Sequence, residues 1–312
     1  MGSSREAGAA SRSRAAAGGA PASASGVLPD DAGAAAPGGV VAIAGAGETG
    51  LACAEALGPG HRVLLGAHTP ARLPATLERL GHLGIDAAGA PLDVADPASV
   101  RAFAAAAAEL GPLAALVSTA GLSRSQADGR RIMAVNHVGT ALLLDAFLAA
   151  ARPGSVAVCV ASIGGHRAEL AAFDEALLDD PSAPDFLDRF EARLPLRDRP
   201  AAAYDLSKRG VTLLACQRAA AWGARGARVV SVSPGVIDTE MGRREGGADA
   251  IANLAALGRI ATPAEVASTI ALLCSPAAAY VTGCDLLVDG GTLAGIAHQA
   301  PAETRAGWER LR

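Results

Sequence analysis

Short uninterrupted apolar runs alternate along this chain with longer stretches in which apolar residues recur at helical spacing. Val40-Val41-Ala42-Ile43-Ala44 is the first run, and its lack of polar alternation marks a strand buried on both faces. Similar runs stand at Arg62–Leu65, Leu113–Ser118, Ser155–Ala161, Arg228–Ser233 and Asp285–Val288, with a weaker one near Ile85–Leu92. Between them the pattern predicts helices over Leu51–Leu57, Pro70–Leu80, Pro97–Leu110, Arg131–Ala151, Ala201–Trp222 and Pro263–Leu273. Pro97 and Pro263 each follow a capping residue, Asp96 and Thr262, and so mark first helical turns. Strands alternating with helices mean βαβ units. The expected fold is α/β, a single doubly wound, mainly parallel sheet with helices on both faces. Right-handed crossovers then place the functional crevice at the carboxyl ends of the strands.

Three segments fall outside this alternation. Residues 1–37 are Ala, Gly, Ser and Pro with a few charges, too poor in large apolar residues to offset the entropy of ordering, and are expected to be a disordered tail. That stretch has the Arg and Ser flavour of a transit peptide but no apolar h-region of a secretory signal. Residues 38–298 make up the expected domain, and 299–312 a C-terminal tail. Within the domain, 166–200 holds several prolines, many charges and Leu/Phe residues at helix-like spacing. It reads as one or two short helices in a long excursion. Such excursions are commonly lids or binding elements, with a surface decoration or an oligomer contact as the competing reading.

Composition narrows the function classes. The 312 residues carry a formal net charge of −4, against the concentrated basic charge of a nucleic-acid binder. No apolar run reaches the length of a membrane span. The five cysteines are widely spread without C-x-x-C spacing, which fits buried thiols in a reducing cytoplasm, and no metal site is expected. Aromatics make up only 3%, so Val, Leu, Ile and Ala must build the core. Of the 27 basic residues a single one, Lys208, is lysine; tyrosine occurs twice, Tyr204 and Tyr280, and asparagine twice, Asn136 and Asn253. In a chain that uses these types so sparingly, the survivors are candidates for chemistry.

Two motifs carry that chemistry. Gly45-Ala46-Gly47-Glu48-Thr49-Gly50 is G-x-G-x-x-G between the first strand and its helix, where glycines let a pyrophosphate approach the backbone and rest on the helix N-terminus. The second strand ends at Ala67-His68, where an NAD site presents an acid to the ribose 2′-hydroxyl. Ala67 supplies no such acid, and His68 and Arg72 lie near enough to bind a 2′-phosphate, which favours NADP(H) over NAD(H). Glu48 argues the other way. Tyr204-Asp205-Leu206-Ser207-Lys208 is Y-x-x-x-K on a predicted helix, with both side chains on one face a turn apart. A free tyrosine, with a pKa of about 10, is a poor base near neutrality. A fixed ammonium nearby favours the phenolate, so the pair can serve as general acid and base.

With these residues in place, the chain resembles the single-domain short-chain dehydrogenase/reductases, a Rossmann-like family, over about residues 39–294. The matching pieces keep the family's order: the glycine turn, Asp93-Val94, Thr119-Ala120-Gly121, Val135-Asn136-His137-Val138-Gly139, Ser162-Ile163-Gly164-Gly165, Tyr204/Lys208, the Pro234–Thr239 loop, and Val281-Thr282-Gly283 running into Val288-Asp289-Gly290-Gly291. The resemblance implies a hydride transfer between a nicotinamide and an alcohol/carbonyl substrate. Tyr204 would exchange the proton, Lys208 would lower its pKa and hold the nicotinamide ribose, Ser162 would bond the substrate oxygen, and Asn136 would support a water relay to Lys208. Gly45, Gly47, Glu48, Thr49 and Gly50 would form the phosphate turn, Asp93 and Val94 would touch the adenine, and Ala120 and Gly121 would line the site. Pro234, Gly235, Val236 and Thr239 would face the nicotinamide. A homodimer or homotetramer is also implied. The alternatives are an epimerase, dehydratase or cyclase without net redox, and a non-catalytic dinucleotide sensor. Three departures stand out: the spacing of the glycine turn, Thr119 where the family has asparagine, and the 42 positions between Ser162 and Tyr204.

Overall fold

A computed structural model describes residues 38–167, 175–246, 248–298 and 300–303. The expectations for 1–37 and for most of 299–312 lie outside the described residues. Seven strands, β1 (Val40–Ala44), β2 (Arg62–Ala67), β3 (Asp86–Pro91), β4 (Leu113–Ser118), β5 (Val156–Val160), β6 (Arg228–Pro234) and β7 (Asp285–Val288), form one sheet in the order β3-β2-β1-β4-β5-β6-β7. Every neighbouring pair is parallel. The chain leaves β1 toward β2 on one side and later returns to β4 on the other. The switch between β1 and β4 opens the crevice where ligands bind in such sheets.

Helices cover both faces of the sheet. In chain order they are α1 (Glu48–Leu57), α2 (Leu73–His82), α3 (Pro97–Leu110), α4 (Gly129–Met133), α5 (Gly139–Phe147), α6 (Ile163–Arg167), α7 (Phe186–Arg193), α8 (Pro200–Gly223), α9 (Glu240–Glu245), α10 (Ala248–Ala252), α11 (Pro263–Cys274) and α12 (Thr292–His298). Asp96 caps α3 by accepting from the Ala98 and Ser99 amides. Thr262 caps α11, as the sequence predicts, and does so in a reciprocal box with Glu265. One core cluster joins Phe103, Phe147 and Trp222 on the side of α3, α5 and α8. The other joins Ile43, Leu65 and Ile270 on the side of α1 and α11. Both sheet faces are therefore buried, which is why the central strands read as unbroken apolar runs.

The expected helix over Arg131–Ala151 is not continuous. Between α4 and α5 the residues Ala134–Val138 form a π turn with Asn136 at its centre. A π turn inserts one residue into the helical ladder, and such turns gather at functional sites. Here it directs two polar side chains inward, and both find partners. Asn136 bonds Leu122 and Ser207, and His137 bonds the Leu178 carbonyl across its Nε2. Burial holds the His137 imidazole down at about 4, so it stays neutral.

The excursion 166–200 supplies a short turn at Glu175–Leu178 and then α7. Leu178, Phe186, Phe190, Leu194 and Leu196 pack against Ile132 and Met133 of α4 and Ala203 and Leu206 of α8 as a third cluster. Arg130 pairs with Asp188 and Glu191 at its rim. Gly129 is required beneath it, since a Cβ there would lie 2.0 Å from the Leu196 carbonyl oxygen. Phe186 is fully buried and rests edge-on against the His137 ring. Phe186→Ala should therefore lower stability by about 3–5 kcal/mol, as truncating a buried phenylalanine does. The check is the denaturant midpoint, with cofactor affinity measured beside it. An unchanged midpoint would make the excursion a surface decoration.

Candidate active site

Two adjoining clefts run along the carboxyl ends of β1, β2, β4, β5 and β6, with volumes of about 440 Å³ and 470 Å³. Ala46, Gly47, Arg72, Thr119, Gly121, Leu122, Gln126 and Met241 line both, so the two are parts of one groove.

At its centre lies the glycine turn. Gly45 sits at φ +122°, and a Cβ there would come within 2.5 Å of the Thr119 hydroxyl and 2.7 Å of the Ala120 amide. The Thr119 hydroxyl donates to the Ala44 and Gly45 carbonyls. The departure at Thr119 thus has a job, tying the end of β4 to the turn. Gly50 packs its α-carbon against the Gly45 carbonyl, and a Cβ would stand 1.8 Å from that oxygen. Gly47 is the N-cap of α1, lines the groove and has open space where a Cβ would project. A bare backbone at a helix N-terminus, facing open space, fits the pyrophosphate of a dinucleotide. Glu48 and Thr49 line the same wall. The Glu48 carboxylate accepts from the Glu240 amide and pairs with Arg243, so it is clasped to α9.

One end of the groove is formed by Ala67, His68, Thr69, Arg72, Asp93, Val94 and Arg131. Asp93 accepts from the Ala95 amide and from Arg131, with His68 at 3.7 Å. Burial works to raise its pKa, but those bonds and charges outweigh it and hold the carboxyl below its ordinary value. Ala120 and Gly121 line the groove beside it.

Ser162, Tyr204 and Lys208 meet at the other end. The 42-residue separation in sequence closes in space because α8 returns beside β5. The Tyr204 hydroxyl bonds Ser162, whose Oγ also accepts from the Gly164 amide. Lys208 is buried, donates to the Val160 carbonyl at 2.9 Å and stands 5.9 Å from the Tyr204 ring centre. Burial pulls its pKa down to about 8. Asn136 lines neither cleft. It lies behind Gly121, with its amide donating to the Leu122 carbonyl and the Ser207 hydroxyl and its oxygen accepting from the Leu122 amide. Those bonds fix the Gly121-Leu122 backbone and Ser207, both next to Lys208. Pro234, Gly235 and Thr239 line the groove, and the Thr239 hydroxyl caps α9 by accepting from the Gly242 amide. Val236 faces a smaller cavity of about 100 Å³ behind the loop, and Ile237 takes its place in the groove.

Several lining residues carry no sequence signal: Gln126, Met241, Arg244 and Arg131 in the groove walls, and Arg124 over the Tyr204 ring. They sit in loops and short helices without a fixed spacing to any motif. Among the described residues no excursion residue from 175–200 lines the groove. Residues 168–174 of the 166–200 excursion, for which a lid is expected, lie outside the described residues. Among the described residues there is also no cluster of three or more metal-binding side chains, and no helix long and apolar enough to cross a membrane. All five cysteines are free thiols, and burial pushes Cys53, Cys159 and Cys274 up to about 12, leaving them inert.

Comparison with known proteins agrees with this layout. A family model described as short chain dehydrogenase matches residues 39–172, and one described as enoyl-(acyl carrier protein) reductase matches 197–292. The gap between the two falls inside the excursion. A short-chain dehydrogenase/reductase of Alternaria brassicicola is 32% identical over 260 residues, covering 81% of this chain and 94% of that protein. A galactitol 2-dehydrogenase (L-tagatose-forming) of Cereibacter sphaeroides is 31% identical over 80% of this chain and 93% of its own length. Among solved structures, a variant of actinorhodin polyketide ketoreductase with NADPH superimposes with a TM-score of 0.65 at 27% identity, covering 82% of this chain and 97% of that one. The sheet order, the glycine turn and the Ser162–Tyr204–Lys208 cluster, together with relatives matched over nearly their whole length, place this chain in the short-chain dehydrogenase/reductase family.

Proposed function

We propose that this protein is an NADP(H)-preferring oxidoreductase that interconverts an alcohol and a carbonyl, with Tyr204 as the general acid/base. The observation that carries the reading is the convergence of Ser162, Tyr204 and Lys208 at one end of the groove whose centre is the glycine turn. When bound, the nicotinamide supplies or accepts the hydride, and the protein's work is placement and electrostatics. The α1 N-terminus and Gly47 would hold the pyrophosphate, Asp93 and Val94 the adenine, and Pro234, Gly235 and Thr239 the nicotinamide. Ser162 would orient the substrate oxygen by a hydrogen bond and stabilise charge developing on it. Tyr204 gives its proton to that oxygen in the reducing direction and takes it back in the oxidising one. Asn136 acts as a clamp that positions Lys208 through Leu122 and Ser207. A sensor without chemistry would have no use for this assembly, and the named relatives are dehydrogenases and reductases, which favours redox over the epimerase, dehydratase or cyclase alternatives. Oxidation or formation of NAD(P)H with a panel of ketones and alcohols tests the reading; cofactor binding without any turnover would sink it.

The preference for NADP(H) is supported by the groove around β2. Ala67 presents no acid, while Arg72 and His68 line the wall where a ribose 2′-phosphate would lie. Glu48, the one residue that argued for NAD(H), has its charge engaged by Arg243 and the Glu240 amide. NADPH should bind about tenfold or more tightly than NADH, the scale of one charge-assisted hydrogen bond. Fluorescence titration of both cofactors reads this directly, and Ala67→Asp should swing the ratio toward NADH. Equal affinities in the wild type would count against Arg72 and His68 as phosphate ligands. The proposed setting is the cytoplasm, as a homodimer or homotetramer, and light scattering reports the latter.

A further inference from the structure

Lys208 is not the cation nearest the Tyr204 ring. The guanidinium carbon of Arg124, from the loop between β4 and α4, stands 5.2 Å from the ring centre, against 5.9 Å for the Lys208 nitrogen. Lys208 also donates a hydrogen bond to the Val160 carbonyl, whereas Arg124 lies between two carboxylates, Asp205 at 3.6 Å and Glu245 at 3.5 Å. Three elements therefore fix the guanidinium: its own loop, α8 and α9. Glu245 is itself steadied by the Ser125 amide and hydroxyl, next to Arg124 in the chain. The charges facing Tyr204 are thus Lys208 and Asp205 from its own helix, Arg124 from the β4 loop and Glu245 from α9, with the neutral Ser162 hydroxyl from the β5 loop.

Without Arg124 the two carboxylates would act on the phenol with the Ser162 hydrogen bond left to oppose them. A buried phenol has already lost the water that would stabilise its anion, so each nearby charge counts. The balance is visible in Tyr204 itself. Burial raises its pKa above the ordinary value, the Ser162 bond and Arg124 pull it down, and Asp205 and Glu245 push it up.

We propose that Arg124 is a positioning residue for the proton transfer, a second cation that Tyr204 uses beside Lys208, and that Glu245 sets how much of its charge reaches the phenol. The inference rests on the reading of Tyr204 as the general acid/base. It assigns opposite effects to two neighbours that touch each other. Arg124→Gln should make Tyr204 harder to ionise, Glu245→Gln should make it easier, and Arg124→Lys should recover part of the loss.

The experiment is a pH titration of the full chain labelled with ¹³C at tyrosine Cζ. Only two signals arise, and Tyr280, which is fully exposed, is the internal reference, assigned by Tyr280→Phe. The Tyr204 midpoint should rise by about one pH unit in Arg124→Gln, within the range expected for a charge at this distance. It should fall in Glu245→Gln, and loosening of the loop alone would not produce shifts of opposite sign. Equal Tyr204 midpoints in the wild type, Arg124→Gln and Glu245→Gln would overturn the proposal. Shifted midpoints in a protein that turns over no alcohol or carbonyl would sink the oxidoreductase reading and leave Arg124 its effect on Tyr204. Unmoved midpoints in an active enzyme would sink the Arg124 role alone.

Discussion

Lys208→Arg should fold like the parent protein yet lose about a hundredfold or more in turnover, the scale of a general acid–base contribution. Lys208 projects from α8 into a confined space, with its nitrogen on the Val160 carbonyl and 3.5 Å from where a Cβ on Gly121 would stand. An ammonium fits there as a compact point charge. A guanidinium keeps the charge but spreads it over a planar fork that this space does not match. A chain that otherwise uses arginine at all its basic positions therefore keeps one lysine where arginine cannot serve. The same scarcity gives a chemical test. Apart from the N-terminal amine, Lys208 is the single amine available to an acylating reagent. Its pKa of about 8 leaves a reactive neutral fraction at mildly alkaline pH, and burial makes access the slow step. Labelling should be slow, abolish turnover with one group incorporated, and be blocked by saturating cofactor. An arginine variant with near-normal kcat, or a labelled enzyme that still turns over, would make Lys208 a bystander.

Gly50→Ala should be nearly as damaging, by a different route. The new Cβ would stand 1.8 Å from the Gly45 carbonyl oxygen, so backbone must move. Gly45 cannot yield easily, because its amide is bonded to the Gly66 carbonyl, its own carbonyl accepts from Thr119, and its φ of +122° is open to glycine. The strain then falls on the first turn of α1, whose free amides face the groove. Turnover at subsaturating cofactor should fall on the order of a hundredfold, as expected when a binding element is misplaced by about 1 Å, and the melting temperature should fall with it. Gly47→Ala provides the contrast. Its Cβ would meet no protein atom within 4 Å but would enter the groove, so it should weaken cofactor binding while melting like the wild type. Equal cofactor affinity in all three proteins would exclude this turn as the pyrophosphate site.

Locally determined features are legible in the chain for a physical reason. The central strands are buried on both faces, so each is an unbroken apolar run, and β1 and β4 begin and end where that run does, as does β7 at the sheet edge. β3 gave the weakest signal because this edge strand is made of Asp, Ala, Gly and Pro and holds no large apolar residue. Asp96-Pro97 and Thr262-Pro263 mark helix starts because capping is settled within four residues. The glycine turn and the Tyr204/Lys208 pair are legible for the same reason, since each depends on a spacing of a few residues, whereas Ser162 is singled out by the family resemblance.

Contacts between distant parts of the chain set what no short spacing encodes. Arg131–Ala151 carries a continuous helical period, and only the need to satisfy buried Asn136 and His137 against Leu122, Ser207 and Leu178 inserts a π turn there. The apolar residues of 175–200 announced helices but not their partner. That the third cluster lies on α4 and α8 is fixed by Ile132, Met133 and Leu206, which are distant in sequence. Val236 and Ile237 are adjacent and both aliphatic, and the course of the loop alone turns Ile237 to the groove. Arg124 reaches Tyr204 across 80 positions of sequence, and Glu48 reaches Arg243 across 195. The elements, their order, the glycine turn and the Tyr204/Lys208 pair are written locally in the chain, because hydrogen-bonding period and burial act between near neighbours. The charges that surround those side chains were decided by folding, because an electrostatic field depends on distance in space and leaves no period in the chain.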